Sequence, residues 1–488
     1  MYDIAIIGGG VTGCAIARWL SKYKLNTILI EKHEDVASGT TKANSAIIHA
    51  GYAAPDGSLR CKMNVRGNPM FDQAQKELNF GFNRVGSFVV AFTDENMKTL
   101  EHELKQAKER NIPGEIITDI KRIKTMEPNI SDKVKGIFYA PTAALVWPFG
   151  LTAALAENAF ENGVEFLFSS PVTDIMKNEN GFIIKAGEKH IETKVVINAA
   201  GVYADEIAKM IGADDFTITP RKGEYILMDR GVAPINYILF PTPTIVSKGI
   251  LVCPTLEGHT FIGPNAQNQE SKEDISTSSA GLNEIIVGGR NLVPSIPIRS
   301  AITNFAGLRA VSNRNGDFII EASKVKNFIN VAGICSPGLS SCLAIAEYVE
   351  GIVKESTSLE MVEKSDWNPT RKAQKRLEDM NEDELSAAIK ERPQWGRVVC
   401  RCETVTEAEI VDAIHRPIPC TSMDMIKKRI RPGMGRCQGG FCTPKILKIL
   451  SRELNKPVTE ITKNDKGSEM VFTRTKQLET QPWKGDKP

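Results

Sequence analysis

The chain opens on an apolar run, Tyr2 to Ile7, that breaks at Gly8-Gly9-Gly10. A helical pattern follows from Val11 to about Tyr23, then a second short apolar run, Thr27-Ile-Leu-Ile, ending at Glu31. Strand, glycine turn, helix and strand in this order predict a βαβ unit. Two later segments have the same texture. Lys194 to Ala199 runs into Ala200-Gly201, and Asn327 to Ala332 runs through Gly333 and Pro337-Gly338-Leu339 into a helical pattern from Ser340 to Val353. Between them, Phe80 to Tyr139 and Gly223 to Arg299 hold strand-like runs such as Gly86 to Ala91 and Tyr225-Ile-Leu-Met. A sheet-rich insertion into a split βαβ domain accounts for that interleaving.

The pattern changes near Ser356. Residues 356–395 are charged and punctuated by proline, with a predicted helix from Lys372 to Ile389, and read as a connector. A compact cysteine module occupies 396–455, and 456–488 read as a loosely packed tail. The expected organisation is a dinucleotide domain in three segments (1–79, 140–222, 300–355) and an inserted domain in two (80–139, 223–299). No 20–50-residue repeat is present, which excludes a solenoid or propeller.

Composition narrows the function classes. At 488 residues the chain has room for about three domains of ~150 residues. Its 61 Lys and Arg against 59 Asp and Glu leave a formal charge of +2, which excludes a dedicated nucleic-acid binder. No apolar run approaches the ~18 residues of a membrane span, and the N-terminus has no basic stretch of an export signal. The expectation is a cytoplasmic protein that reaches the inner membrane face only through partners. Five cysteines, Cys14, Cys61, Cys253, Cys335 and Cys342, are scattered; Cys400, Cys402, Cys420, Cys437 and Cys442 are clustered. Without an export signal, clustered thiols read as metal ligands rather than disulfides.

Two motifs carry chemistry. Gly8-Gly9-Gly10-Val11-Thr12-Gly13 is a G-x-G-x-x-G directly after a strand. Gly8 permits the tight turn, Gly10 the approach of a pyrophosphate, and Gly13 the close packing of helix on sheet. Glu31 ends the second strand, where an acid accepts from a ribose hydroxyl, and Arg18 is not placed for a 2′-phosphate. The second motif is Cys400-Arg-Cys402, followed by Cys437-Gln-Gly-Gly-Phe-Cys442. Four thiolates can close a zinc site or hold a [2Fe–2S] cluster, and a C-x-C pair is unusual for structural zinc. Gly433, Gly435, Gly439 and Gly440 suit a loop whose N–H groups turn toward sulfur. Lys427, Lys428, Arg429, Arg431 and Arg436 offset a negative cluster. Thr406 to Glu409 reads as a capping box, Ser422 to Arg431 as a helix, and Cys420 as a packed spectator.

The segment Ser38-Gly-Thr-Thr-Lys-Ala-Asn-Ser-Ala-Ile-Ile-His49-Ala-Gly-Tyr52 resembles the flavin loop of the FAD-dependent D-amino-acid-oxidase superfamily, in its glycerol-3-phosphate dehydrogenase/oxidase branch. The resemblance continues through Val196 to Gly201, Pro220 to Tyr225, Ser247 to Pro254, Phe305 to Arg309 and Asn330 to Leu339. The cysteine pattern resembles the bacterioferritin-associated-ferredoxin type of [2Fe–2S] domain, fused behind the catalytic subunit of the anaerobic enzymes. These likenesses imply an α/β fold: a Rossmann-like FAD domain of glutathione-reductase type, an inserted α+β substrate domain and a small helical [2Fe–2S] domain. The implied cofactors are FAD and a [2Fe–2S] cluster held by Cys400, Cys402, Cys437 and Cys442. FAD would lie against Gly8, Gly10, Thr12, Gly13, Glu31, Lys32, Thr40, Thr41, Asn44, Ser45, Ala200, Gly201, Gly338, Leu339 and Ser340.

The same likeness makes His49 the base toward a substrate hydroxyl, a role suited to an imidazole titrating near ~6.5. It makes Lys248 and Arg309 the cations for an anionic substrate; Arg221 and Lys222 are weaker candidates. The implied reaction is oxidation of glycerol 3-phosphate, with electrons leaving through the cluster to a second redox subunit. A 2-hydroxyacid or amino/imino-acid dehydrogenase, or an electron-transfer or sensing subunit without turnover, are the competing expectations.

Overall fold

In the computed structural model, residues 1–243 and 249–473 are described; Lys248 therefore lies outside the described residues. The chain divides into two compact units, Met1–Ala373 and Gln374 onward.

The first unit is built on two sheets. Five parallel strands run in the order Glu165–Leu167, Thr27–Ile30, Tyr2–Ile7, Lys189–Asn198 and Phe328–Ala332. An antiparallel strand, Ile319–Ala322, forms one edge, and the Val172–Asn178/Gly181–Ala186 hairpin extends the N-terminal half of Lys189–Asn198. Every residue of Thr27–Ile30 and Phe328–Ala332 is buried. Parallel strands covered on both faces read as continuous apolar runs, which is why they were visible in the sequence. Helix Val11–Leu20 packs between Pro148–Glu161 and Gly338–Ser356. It ends sooner than its pattern predicts: Leu20 and Tyr23 are both buried, but Ser21 caps the helix and Tyr23 belongs to the turn beyond it.

The second sheet has nine strands and two apolar faces. Its longest pair, at one edge of the sheet, is Ile218–Met228 against Ala301–Ser312, antiparallel along their length. The boundaries expected at 222 and 300 are corrected here, because 218–222 and 301–312 belong to this sheet. Arg221 lies directly opposite Arg309, and Tyr225 opposite Phe305. A small sheet pairs Ile47–Ile48 with Ala144–Val146 and fixes the segment leading to His49.

Part of the expected connector is a strap fastened to the first unit. Trp367 donates to Ser21 Oγ (3.1 Å), and Asn158 Nδ2 donates to the carbonyls of Asn368 and Thr370 (3.0 Å each). Arg18, 5% exposed, donates to Asn158 Oδ1 (2.9 Å), Glu77 (2.6 Å) and the Pro369 carbonyl (3.0 Å).

In the second unit, the helix predicted over 372–389 is Glu382–Glu391 instead. A capping box between Asn381 and Glu384 starts it, and the residues before it reach elsewhere: Gln374 to the Glu409 carbonyl and Arg376 to its carboxylate (2.9 Å each). The capping box at Thr406 and Glu409 opens helix Glu407–Ile414 as expected. Met423–Ile430 and Thr443–Glu453 complete a three-helix core. Residues 456–473 are no loose tail: Ile461 is 1% exposed, and the carbonyls of Thr462 and Lys463 accept from Met423 and Asp424 N–H. Among the described residues no helix is long and apolar enough to cross a membrane.

Candidate active site and thiol centre

A cavity of about 380 Å³ runs along the C-terminal ends of the parallel strands, where open α/β sheets bind ligands. Gly8, Gly10 and Thr12 line it; Gly8 turns with φ +113°. Gly13 stands behind them, where a Cβ would lie 2.0 Å from the Gly8 carbonyl oxygen, so its part is to let the helix approach the turn. At Gly10 a Cβ would have only Thr41 Oγ1 near it, at 3.5 Å, and would fill cavity space. No side chain caps the helix at Gly10, so its first-turn N–H groups and positive dipole end suit a phosphate. Thr41 Oγ1 takes one of those donors, Val11 N–H, at 3.1 Å.

Glu31 is anchored by accepting from Gly9 N–H (2.6 Å) and His33 N–H (2.9 Å) and still lines the cavity. Lys32 lies 3.8 Å over the Tyr203 ring at the same end. Ala200, Gly201, Gly338 and Leu339 complete the walls, the last two at a helix start without a side-chain cap.

The loop after Glu31 crosses the middle of the cavity. Thr40 donates to the Leu308 carbonyl (2.7 Å), Asn44 to the Thr41 carbonyl (2.9 Å), and Asn44 Oδ1 accepts from Ala46 N–H (2.8 Å). Ser45 Oγ lies 3.3 Å from Tyr225 OH. His49 ends the loop with its ring 5.7 Å from that of Phe240. Its backbone is clamped on both sides: Ser340 Oγ accepts its N–H (2.8 Å), and Asn64 and Asn68 donate to its carbonyl (2.9 and 3.0 Å).

Ser340, expected against FAD, is held from this side. Fully buried, it spends its hydroxyl on His49 N–H and the Ile47 carbonyl, behind the cavity wall. Asn64 and Asn68 escaped the sequence reading. Two asparagines four apart on the buried side of helix Leu59–Leu78 were the available signal, since Asn is a weak helix former.

Arg309 lines the cavity and donates to the Asn265 carbonyl (2.7 Å). Burial pushes the Cys335 thiol up, while the guanidinium groups of Arg60, Arg309 and Arg221 pull it back. Three cations therefore act on one cavity-lining position. Arg60 Nε is buried without a hydrogen-bond partner. Arg221 bonds Asn268 (2.7 Å), and Lys222 pairs with Asp274 (2.9 Å). Burial raises the Tyr225 hydroxyl, with Arg309 and Ser45 opposing.

In the second unit the four thiols meet in two pairs. Cys402 and Cys437 sulfurs are 3.7 Å apart, and Cys442 donates to Cys400. That bond and the N–H groups of Gly433, Glu403 and Cys402 hold the Cys400 thiol below its ordinary range. Phe441, Gly439 and Gly440 N–H do the same for Cys437, together with the Cys402 thiol. Gly435 is required by packing, since a Cβ there would lie 2.4 Å from Cys402 Cβ. Among the described residues no three His, Cys, Asp or Glu side chains converge to hold a single metal ion. Paired thiols with N–H donors aimed at sulfur fit a binuclear cluster, each iron taking two. Cys420 is fully buried in the core.

The model of the FAD dependent oxidoreductases matches residues 3–351, and that of the BFD-like [2Fe-2S] binding domain matches 398–452. The chain belongs to the FAD dependent oxidoreductase family, and its cofactors are FAD and a [2Fe–2S] cluster. Among particular relatives, the glycerol 3-phosphate dehydrogenase of Caloramator mitchellensis is 47% identical over 98% of this chain and 99% of its own. The glycerol 3-phosphate oxidase of Mycoplasma genitalium is 33% identical over 75% and 97%. The FAD-bound L-α-glycerophosphate oxidase of Mycoplasma pneumoniae superposes with a TM-score of 0.72 at 29% identity, over 76% of this chain and 98% of that one.

Proposed function

We propose that this protein oxidises sn-glycerol 3-phosphate at C2 to dihydroxyacetone phosphate and passes the electrons through its cluster to a separate redox partner. The observation that carries the reading is that one cavity joins the glycine turn to His49 and Arg309. The full-length likeness to a glycerol 3-phosphate dehydrogenase supports the substrate. Bound FAD supplies the acceptor for the C2 hydride, and the cluster carries one electron at a time, so the flavin converts a two-electron oxidation into single steps.

His49 takes the C2 hydroxyl proton as the carbonyl forms, and its clamped backbone keeps the ring at one distance from the reacting carbon. Arg309 offers the phosphate a planar fork, Lys248 a point charge and Arg60 a further donor. The loop over Thr40, Thr41, Asn44 and Ser45 would carry the flavin ring, and the N–H groups of Gly10 and Thr12 would hold its pyrophosphate. The enzyme works in the cytoplasm and reaches a membrane only through its partner.

Anaerobic addition of substrate to the holoprotein tests this. Glycerol 3-phosphate should bleach the ~450 nm flavin band, and an EPR signal of reduced [2Fe–2S] should follow. His49→Ala should abolish bleaching, whereas Arg309→Lys should raise the substrate concentration it needs. Rapid bleaching by L-2-hydroxyglutarate and none by glycerol 3-phosphate would move the assignment to a hydroxyacid. Bleaching by neither would leave a flavoprotein without turnover.

A further inference from the structure

The cluster loop presents a surface that substrate chemistry does not use. Phe441, directly before the ligand Cys442, is 82% exposed, although aromatic rings are among the side chains most strongly driven from water. Beside it the ligands divide. Cys400 and Cys442 are each 2% exposed, whereas Cys402 and Cys437, 3.7 Å apart, are only partly buried. One edge of the cluster site faces the module's core and the other reaches the surface.

Charge is concentrated at that edge. Arg401, Arg436 and Lys445 are exposed, and each lies within three residues of a ligating cysteine. From Met425 to Arg452 the chain has eight Lys and Arg and no Asp or Glu, in a protein whose formal charge is only +2. Loop N–H groups face the Cys437 sulfur, and Arg429 and Arg431 are buried. Arg431 also pairs with Glu403 at 3.0 Å. Arg401, Arg436 and Lys445, by contrast, are at the surface.

We propose that the Cys402/Cys437 edge, with Phe441 at its centre and Arg401, Arg436 and Lys445 around it, is the docking face for an acidic one-electron carrier protein. The inference rests on the reading that the module passes electrons outward. An aromatic anchor inside a charged rim matches the division of labour in protein interfaces, where the centre holds and the rim steers. Transient redox complexes are small, so one exposed ring and three cations suffice. An acidic carrier brings complementary charge and places its redox centre against the exposed edge of the cluster.

The test uses the full-length holoprotein, reduced with dithionite and desalted under argon, so that substrate oxidation plays no part. It is mixed in a stopped-flow cell with acidic cytochrome b5 or with basic cytochrome c, and haem absorbance is followed. Cytochrome b5 should be reduced about tenfold more slowly at ~300 mM salt than at ~20 mM, and cytochrome c should show no such fall. Phe441→Ala, and separately the double variant Arg401→Glu, Lys445→Glu, should each slow cytochrome b5 reduction about tenfold, with iron content and EPR spectrum unchanged. Zero-length carbodiimide cross-linking of the oxidised protein to cytochrome b5 should map to Lys445.

A salt-independent cytochrome b5 rate, no slowing in Phe441→Ala, or cross-links elsewhere would each overturn the proposal. Should the double variant lose its cluster, Phe441→Ala and the cross-link map decide. Failure of substrate bleaching with docking intact would fault the substrate reading alone.

Discussion

Replacing Ser340 with alanine tests whether the catalytic loop is held from behind. The hydroxyl accepts His49 N–H at 2.8 Å and donates to the Ile47 carbonyl at 3.2 Å, with no solvent exposure. Deleting one oxygen leaves less room than the ~30 Å³ a water occupies, so nothing replaces the bond. Stranding the N–H costs about 1–3 kcal/mol. The Asn64 and Asn68 bonds to the His49 carbonyl survive, so the loop shifts without melting. A displacement of this kind is enough to lower a positioned proton transfer by ten- to a hundredfold, on the order of 10² per ångström. The expected outcome is full FAD occupancy, a lower urea midpoint and a single-turnover bleaching rate reduced about tenfold. Ser340→Cys, which keeps a weaker hydrogen-bonding group, should recover part of that rate. Loss of FAD with an unchanged rate in the FAD-bound fraction would return Ser340 to the cofactor's own contacts and refute the clamp.

Three further outcomes follow from distances and charge. Gly13→Ala puts a Cβ 2.0 Å from the Gly8 carbonyl oxygen; the forced shift should cost about 1–3 kcal/mol and appear as weakened FAD binding in flavin-fluorescence titrations. Cys420→Ala should keep two irons and the EPR signal while Cys437→Ala loses both, and cluster loss in Cys420→Ala would count against the ligand set. Glu350 tests the acid side: burial opposes its ionisation, but bonds from Lys354, Tyr23, Trp19 and Lys22 hold it down to about 2. A depressed carboxylate stabilises the fold above its unfolded pKa, near ~4.3, and that contribution disappears as pH falls toward 2. Glu350→Gln should therefore lose stability less steeply than the wild type between about pH 4.5 and 2, and parallel slopes in denaturation would show that the network contributes nothing.

How much of this was legible depended on whether the signal was local. The βαβ core could be read because its strands are buried on both faces and the glycine turn has fixed spacing. The N-cap at Thr406 could be read because a capping box uses residues three apart. The pairing of Ala301–Ser312 with Ile218–Met228, some 80 residues away in the sequence, could not be read, because no periodicity encodes pairing. The helix expected from Lys372 fails for a similar reason: Arg376 is drawn to Glu409 by a contact that its neighbours do not announce. At the site, the cavity gathered residues that motifs had placed separately. Supporting residues such as Asn64 and Asn68 could not be read, since their roles depend on the His49 carbonyl they face.

The strap over residues 356–373 bears on how this chain can be cut or joined. Arg18 sits on the helix that follows the dinucleotide turn and Asn158 on the helix packed against it, and both are completed by strap carbonyls. A fragment ending at residue 351, where the oxidoreductase family match stops, would leave a buried guanidinium and a buried amide short of acceptors. The seam for a working truncation, or for grafting a different electron-carrying module, lies after Ala373. A donor chain fused there inherits a finished surface; one fused twenty residues earlier would have to rebuild it.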